Sequence, residues 1–475
     1  MNLQKRYEKA LEVLNNHNQA HLLAFFSELD DAGKDSLLGQ IAELDFDQLD
    51  KDIEKYVKCE NPLQLPTEFD PAPMFPAVAD TDELKEKYAR AKQLGSDLIS
   101  KGKVAAFVVA GGQGTRLGFD GPKGCYPTSP VKNKMLFQLF AENIAAAQQK
   151  YNAQLSWYIM ASELNYDATI ACFEQNDYFG LNKENVFMFI QGTGPNFSTD
   201  GKILLADKDT IACSPDGHGG SLKALYKSGA ISDMKKKDIE YISYFQVDNP
   251  LINIFDPLFI GLHAGAKAGM SSKALIKAEP KEKVGNFCLV NDRVTVIEYS
   301  DLPDEQAIRR NPDGTLVFTL GSIAIHILSV DFVAQLNSKG FALPYHRAVK
   351  KISCLASDGN KITLAEPNGI KLETFVFDAL PLSEKSIIFE TLRDQEFAPV
   401  KNATGVDSAE VTRKMMTARA ADWLAQGGVE IPQKPDGTAD CIIEMAASFA
   451  LHKEDVPAKA DKIKPIKAGD EVCLD

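Results

Sequence analysis

The chain has 475 residues, 44% of them hydrophobic and 25% charged, which suits a soluble globular protein of two or three domains with a large core. A net charge of −14 excludes a broad basic face for nucleic acid, so any anionic ligand must be met by a local basic cluster. No apolar run of about 18 residues is present, so no membrane-spanning helix is expected.

The N-terminal MNLQKRYEKALEVL mixes charges with an amphipathic pattern and lacks an apolar signal core. Eight cysteines are scattered without a C-x-x-C pair. In a chain of this size they read as reduced thiols of a cytoplasmic protein and not as a zinc site. Up to about residue 60, Leu11 and Leu14, then Leu22, Leu23, Phe25 and Phe26, then Leu37, Leu38, Ile41 and Leu44 recur near helical spacing. This predicts a helical arm packed against the main domain. Residues 61–79 hold five prolines and little periodicity, so they read as an extended linker. A helix should follow, capped by Asp80 with Glu83 three positions on. Its apolar face is Leu84, Tyr88, Ala91, Leu94 and Leu98.

The run Val104–Ala110 is apolar throughout and ends in glycines, as a fully buried parallel strand does. The loop after it holds Gly111, Gly112, Gly114 and Gly118, with Arg116 inside it and Lys123 just beyond. Glycines let backbone N–H groups approach a ligand, and two fixed cations beside them make a phosphate-binding arrangement. It is not a P-loop, since Gly-Lys-Ser/Thr is missing. It is not a dinucleotide fingerprint either, because Leu117 stands where the third glycine belongs.

A helix over 135–149, a strand over 155–160, a helix over 166–175 and a strand over 186–191 are expected next. The glycine-rich SPDGHGG (214–220) leads into another helix, and 239–249 is a strand ending in acid. Such alternation predicts a parallel α/β sheet with its ligand at the carboxyl ends of the strands. The glycine loop, Gln191, the PDGHGG turn and Asp248 all fall at such ends. Shorter β segments at about 270–330 predict a mixed extension of the sheet. The expected domains are an N-terminal helical region with linker (1–100), a catalytic domain (101–395) and a small mixed C-terminal domain (396–475).

Arg116 and Lys123 suit a triphosphate whose pyrophosphate departs, because nucleotidyl transfer asks mainly for positioning and charge stabilisation. Asp248, in Val247-Asp248-Asn249, is the natural ligand for Mg²⁺, which takes few carboxylates besides phosphate oxygens.

GGQGTRLG…PKG, followed by SPDGHGG, QVDNP, VIEYSD, KLETFVFD and EFAPVKN, resembles the UDP-N-acetylglucosamine pyrophosphorylases of the UDP-sugar pyrophosphorylase family. The resemblance covers about residues 100–430. It implies a Rossmann-like nucleotidyltransferase fold with a mixed, mainly parallel central sheet. It also implies a reversible reaction in which UTP and a sugar 1-phosphate, first N-acetylglucosamine 1-phosphate, give UDP-sugar and pyrophosphate with Mg²⁺. Gly111, Gly112 and Gly114 would then hold the nucleotide, Arg116 and Lys123 the triphosphate, and Lys401 the phosphates from the C-terminal side. Gln191 and Gly217 would read the uracil edge. Gly285, Glu298 and Tyr299 would contact the sugar, with Phe375 and Phe377 walling the pocket. The bland alternatives are an alternating strand for Glu298-Tyr299 and core packing for the two phenylalanines.

Three positions depart from the family pattern. Where the family reads G-N-I-A-N-H, this chain has Gly321-Ser322-Ile323-Ala324-Ile325-His326, so Ser322 and Ile325 replace asparagines. His218 stands where asparagine is common; its imidazole can donate to a phosphate or ribose, or be a turn residue facing water. These departures bear on the sugar, and leave glucose or galactose 1-phosphate as alternatives. A reading of another class is a non-catalytic protein that binds nucleotide sugars. Neither a nucleic-acid nor a membrane partner is expected, and the sequence does not give the oligomeric state.

Overall fold

A computed structural model describes residues 2–59, 66–362 and 366–475. Residues 61–65 of the expected proline-rich linker lie outside the described residues. The chain divides into two compact units. The larger holds Pro66–Gln191, Leu222–Ala342 and Phe377–Asp475; the smaller holds Met1–Leu65, Gly192–Ser221 and Leu343–Val376.

In the larger unit four strands run parallel: β1 (Val104–Val109), β2 (Trp157–Ala161), β3 (Val186–Ile190) and β4 (Tyr241–Gln246). Their order across the sheet is β3-β2-β1-β4. β1 is central because its side chains are small or branched and both faces are covered; Val104, Ala105, Ala106, Phe107 and Val108 are completely buried. Val104, Ala106 and Val108 share one core with Phe140, Ile144, Trp157 and Phe245.

The predicted mixed extension is present. It comprises β5 (Met270–Ile276), β6 (Gly285–Val290), β7 (Arg293–Ile297), β8 (Leu320–Ser329) and β9 (Ile388–Glu390). β8 is antiparallel to β4, β5 and β6, whereas β9 pairs parallel with β5. β6 and β7 form a hairpin whose turn residues Asn291 and Asp292 both take positive φ, as a tight two-residue loop requires.

The helix before β1 spans Asp82–Ser100. Its cap is Thr81 and not the expected Asp80: the Thr81 hydroxyl accepts the Leu84 N–H at 3.2 Å. Thr81 holds the extended backbone an N-cap needs, and Asp82 and Glu83 then sit in the first turn, where the helix dipole favours acids. Residues 66–79 are extended as expected, with Phe75 bridging Phe389. The helices Leu136–Tyr151 and Tyr166–Gln175 follow the expected spans closely.

Buried Lys273 on β5 bonds Glu396 at 2.5 Å and Asp256 at 2.7 Å. Such a burial is tolerable only when the charge is fully paired, and two carboxylates do this. The triad anchors Glu396, from which the segment 397–401 departs. The last part of the chain contributes a helix, Ala409–Gln426, and a parallel pair, Ile442–Met445 with Glu471–Leu474. These pack around Leu424, Ile443 and Val456.

In the smaller unit the helices Leu3–Asn16 and Asp31–Glu43, with the 3-10 turn Ala20–Leu23 between them, bury Leu14, Leu22, Leu37, Leu38 and Ile41. These residues pack with Phe197, Ile203, Ile370 and Leu372. The helical arm therefore shares a core with residues 192–221 and 343–376. The boundaries expected at 100 and 395 differ from this division, because a unit assembled from three separate segments leaves no continuous mark in the sequence.

Candidate active site

The glycine loop begins where β1 ends and closes on itself. Gly114 N–H donates to Gly121 O at 2.9 Å, and Lys123 N–H to Gly112 O at 3.0 Å. A Cβ on Gly111 would lie 3.0 Å from Gln191 Oε1, so the loop and the end of β3 meet side by side. Arg116 is exposed on a short 3-10 turn, Thr115–Leu117. Gly112 is open to solvent, while Gly114 is buried against Phe119.

Asn165 was not singled out from sequence, yet it holds this loop in place. It is 1% exposed, and its amide nitrogen donates to Ala110 O at 3.0 Å and Gly112 O at 3.2 Å. Its Oδ1 accepts the Ser162 N–H at 2.8 Å. The available signal was an asparagine four residues beyond the second parallel strand, at the ligand edge.

Lys123 Nζ lies 3.9 Å from Asp248 Oδ2, and Asp248 is 9% exposed. Burial pushes the Lys123 ammonium below the usual lysine range; Asp248 opposes this, and Lys401 and Arg116 add to it. Asp248, Lys401 and Arg116 therefore all lie within electrostatic reach of Lys123. Lys401 also lies 4.0 Å from Asp407 Oδ2 and over the Phe397 ring. It arrives there because Asn249 clasps its segment: Asn249 Nδ2 donates to Glu396 O at 2.8 Å, and Asn249 Oδ1 accepts the Ala398 N–H at 3.0 Å. Among the described residues no three His, Cys, Asp or Glu side chains converge as a self-sufficient metal site.

A second group lies on the mixed strands. Gly285 pairs with Ser322, and a Cβ on Gly285 would lie 3.5 Å from Glu298 Oε1 and 3.8 Å from Ser322 Cβ. Gly285, Glu298 and Ser322 are thus neighbours. β7 stops at Ile297, so Glu298-Tyr299 is not an alternating strand; it opens a turn in which Glu298 O accepts the Asp301 and Leu302 N–H groups. Tyr299 is exposed, and Phe377 is buried. Ile325 is only 4% exposed and belongs to the main core with Ile323 and Ile327. The position where the family pattern has asparagine is therefore a core position in this chain.

In the smaller unit the PDGHGG turn is built on Thr374. Its N–H donates to Asp216 O, and its own carbonyl accepts the Gly219 N–H, each at 2.8 Å. Gly217 has φ 85°, and a Cβ there would meet Thr374 O at 2.4 Å, so only glycine fits. His218 does not simply face water. Its ring stacks on Phe375 at 5.1 Å between centroids, and Phe375 stacks in turn on His346 at 4.1 Å. Nδ1 of His218 accepts the Val376 N–H at 3.1 Å. Burial first, aided by His346 and opposed by Glu373, pushes the imidazole down to about 4. The ring is therefore neutral near pH 7, with its proton on Nε2.

Three cations and one carboxylate, at the carboxyl edge of parallel strands and beside a glycine loop, can hold a triphosphate and offset the charge of a departing pyrophosphate. This fold and edge define a nucleotidyltransferase. The family described as UTP–glucose-1-phosphate uridylyltransferase matches residues 51–468, and the chain belongs to it. A relative named UDP-N-acetylglucosamine pyrophosphorylase, from Saccharomyces cerevisiae, is 37% identical over 404 residues, covering 83% of each chain. A Xenopus tropicalis protein named UDP-N-acetylhexosamine pyrophosphorylase-like protein 1 is 37% identical over 421 residues, covering 85% of this chain and 81% of its own. The crystal structure of the uridine diphosphate N-acetylglucosamine pyrophosphorylase from Trypanosoma brucei, in complex with inhibitor, aligns with TM-score 0.80 and 25% identity. That alignment covers 99% of this chain and 98% of the other.

Proposed function

We propose that the protein transfers the uridylyl group of UTP to N-acetylglucosamine 1-phosphate, giving UDP-N-acetylglucosamine and pyrophosphate. The observation that carries this reading is Lys123, 3.9 Å from Asp248 and within electrostatic reach of Arg116 and Lys401. The sugar-phosphate oxygen attacks the α-phosphorus, and the bond to the leaving pyrophosphate breaks. Charge builds on that leaving group, and fixed cations are worth most there. Asp248 fits as the single protein carboxylate of a Mg²⁺ ion bound chiefly by phosphate oxygens, and the ion would neutralise phosphate charge.

Gly111, Gly112 and Gly114 offer backbone to the nucleotide. Gln191, Gly217 and His218 are assigned to the nucleoside; an amide both donates and accepts, as uracil's edge requires. Gly285, Glu298, Tyr299 and Ser322 are assigned to the sugar, with Phe375 and Phe377 as its apolar wall. The relatives' names support N-acetylglucosamine, and the core position of Ile325 removes one objection to it. No described helix is long and apolar enough to cross a membrane. The cytoplasmic assignment rests on the eight scattered cysteines, which form no C-x-x-C pair.

The test is pyrophosphate release with UTP and Mg²⁺ against N-acetylglucosamine, glucose and galactose 1-phosphates. Preferred turnover of the first is expected. No turnover with any, together with calorimetric binding of UDP-sugar, would establish a non-catalytic binder instead.

A further inference from the structure

Two segments of the larger unit, 248–253 and 395–401, are linked by a series of hydrogen bonds. At one end Val400 N–H reaches Asp248 O at 2.8 Å. In the middle Asn249 holds Glu396 O and the Ala398 N–H, and Asn253 N–H reaches Glu396 Oε1 at 3.1 Å. The link at the other end comes from a third element. Arg419, on the helix Ala409–Gln426, donates from Nη1 to Leu251 O at 2.8 Å and to Gln395 O at 3.1 Å. Other side chains of this helix reach the second segment alone. The Thr412 hydroxyl donates to Ala398 O at 3.2 Å, and Trp423 Nε1 donates to Gln395 Oε1 at 2.8 Å. Arg419 spans both segments, and its guanidinium lies 5.1 Å from the centroid of the Trp423 ring.

We propose that Arg419 is a positioning residue for the transfer reaction: by bridging Leu251 O and Gln395 O it fixes the segment bearing Asp248 against the segment bearing Lys401. Leu251 follows Asp248 by three residues and is completely buried, so a shift of its carbonyl moves the chain at Asp248. Gln395 precedes Lys401 by six residues, and the Asn249 and Val400 bonds carry its position forward to Lys401. Arginine suits the task. One guanidinium nitrogen carries two N–H donors in a fixed plane, and a charged donor bonds a carbonyl about twice as strongly as a neutral one. Burial pushes the Arg419 guanidinium down to about 10, with Glu396 opposing, so the side chain stays charged near neutral pH.

The bridge stands on geometry; its effect on turnover rests on the proposed function of Asp248 and Lys401. The test compares Arg419→Met, which keeps an apolar stem and removes the donors, with Leu424→Ala, which opens the core of the same helix against Ile443 and Val456. Both should melt earlier than the wild type. Below their melting temperatures only Arg419→Met should lower kcat, by about tenfold or more with a smaller change in KM for UTP. Hydrogen exchange of the full-length protein, read by mass spectrometry on peptides spanning 396–401, gives a readout that needs no turnover. The Ala398 and Val400 amides should exchange about tenfold faster in Arg419→Met and at the wild-type rate in Leu424→Ala. If Arg419→Met does not fold, Arg419→Lys carries the same test, with smaller changes in the same direction. Unchanged kcat in the folded arginine variant overturns the proposal, as do equal effects of both variants on kcat and exchange. A wild type that never turns over, with faster exchange in the arginine variant, overturns the proposed function and leaves the bridge standing.

Discussion

Val400 donates its backbone N–H to the carbonyl of Asp248 at 2.8 Å, joining two separate segments of the larger unit. That bond, with the Asn249 clasp on Glu396 and Ala398, carries Lys401 to the carboxylate expected to hold metal. Asn249→Ala should therefore cost about 1–3 kcal/mol of stability from unpaired backbone groups. It should also lower kcat by about 10- to 100-fold, since a small misplacement of a catalytic cation is expensive. Denaturant melts and steady-state kinetics check both; an unaltered kcat would show that Lys401 reaches its place without the clasp.

Lys123→Ala removes the half-buried cation nearest Asp248. Turnover should fall by about 10²–10³-fold with a smaller change in KM, as when one transition-state donor is deleted. Near wild-type turnover would place the transferring phosphate elsewhere.

Asn165→Asp keeps the shape but sets a carboxylate where an amide donates to Ala110 and Gly112. The loop should loosen, and KM for UTP should rise by about tenfold, with a stability loss of about 1–3 kcal/mol. Titration with UTP, read by calorimetry, separates the two effects.

The two departures at 322 and 325 predict different outcomes. Ser322→Asn, beside Gly285 and Glu298, should shift the ratio of kcat/KM between N-acetylglucosamine and glucose 1-phosphates. Ile325→Asn should leave that ratio unchanged and destabilise by about 2–4 kcal/mol, because it buries an amide in an apolar core. If the Ile325 variant alone alters selectivity, the assignment of the sugar site is wrong.

Stability should fall in acid through His263 and His452, both buried, with pKa values pushed down by burial from 6.5 to about 3 and about 4. Each depressed value means that the unfolded chain binds the proton first. Stability from these rings is complete above 6.5 and is lost as pH falls toward the folded values. The slope is about 1.4 kcal/mol per pH unit for each histidine. His263, bonded to the Ser271 and Ser329 hydroxyls, is the cleaner probe. Denaturation midpoints between pH 7 and 5 should flatten in His263→Gln.

Much of the larger unit was legible because its signals are local. Six apolar residues ending in glycines leave few alternatives to a buried strand, and the helix Tyr166–Gln175 matches its expected span. Arg116, Lys123, Asp248 and Lys401 were legible as charges in motifs, and the fold sets the other three within electrostatic reach of Lys123. Thr81 was missed because Asp80 is an equally good cap by type; only backbone geometry separates them. Asn165 and Asn249 were missed because their partners are backbone groups of distant segments, and nothing in a lone asparagine announces such a bond.

The composition of the smaller unit has a consequence for synthesis. Its first helices bury Leu14, Leu37 and Ile41 against Ile370 and Leu372. These last two residues leave the ribosome more than three hundred codons after the helices do. At about 5–20 residues per second, those apolar faces wait on the order of tens of seconds for their partners. During that interval the N-terminal arm is a natural client for a chaperone, and its refolding should be slowed by long-range loop closure.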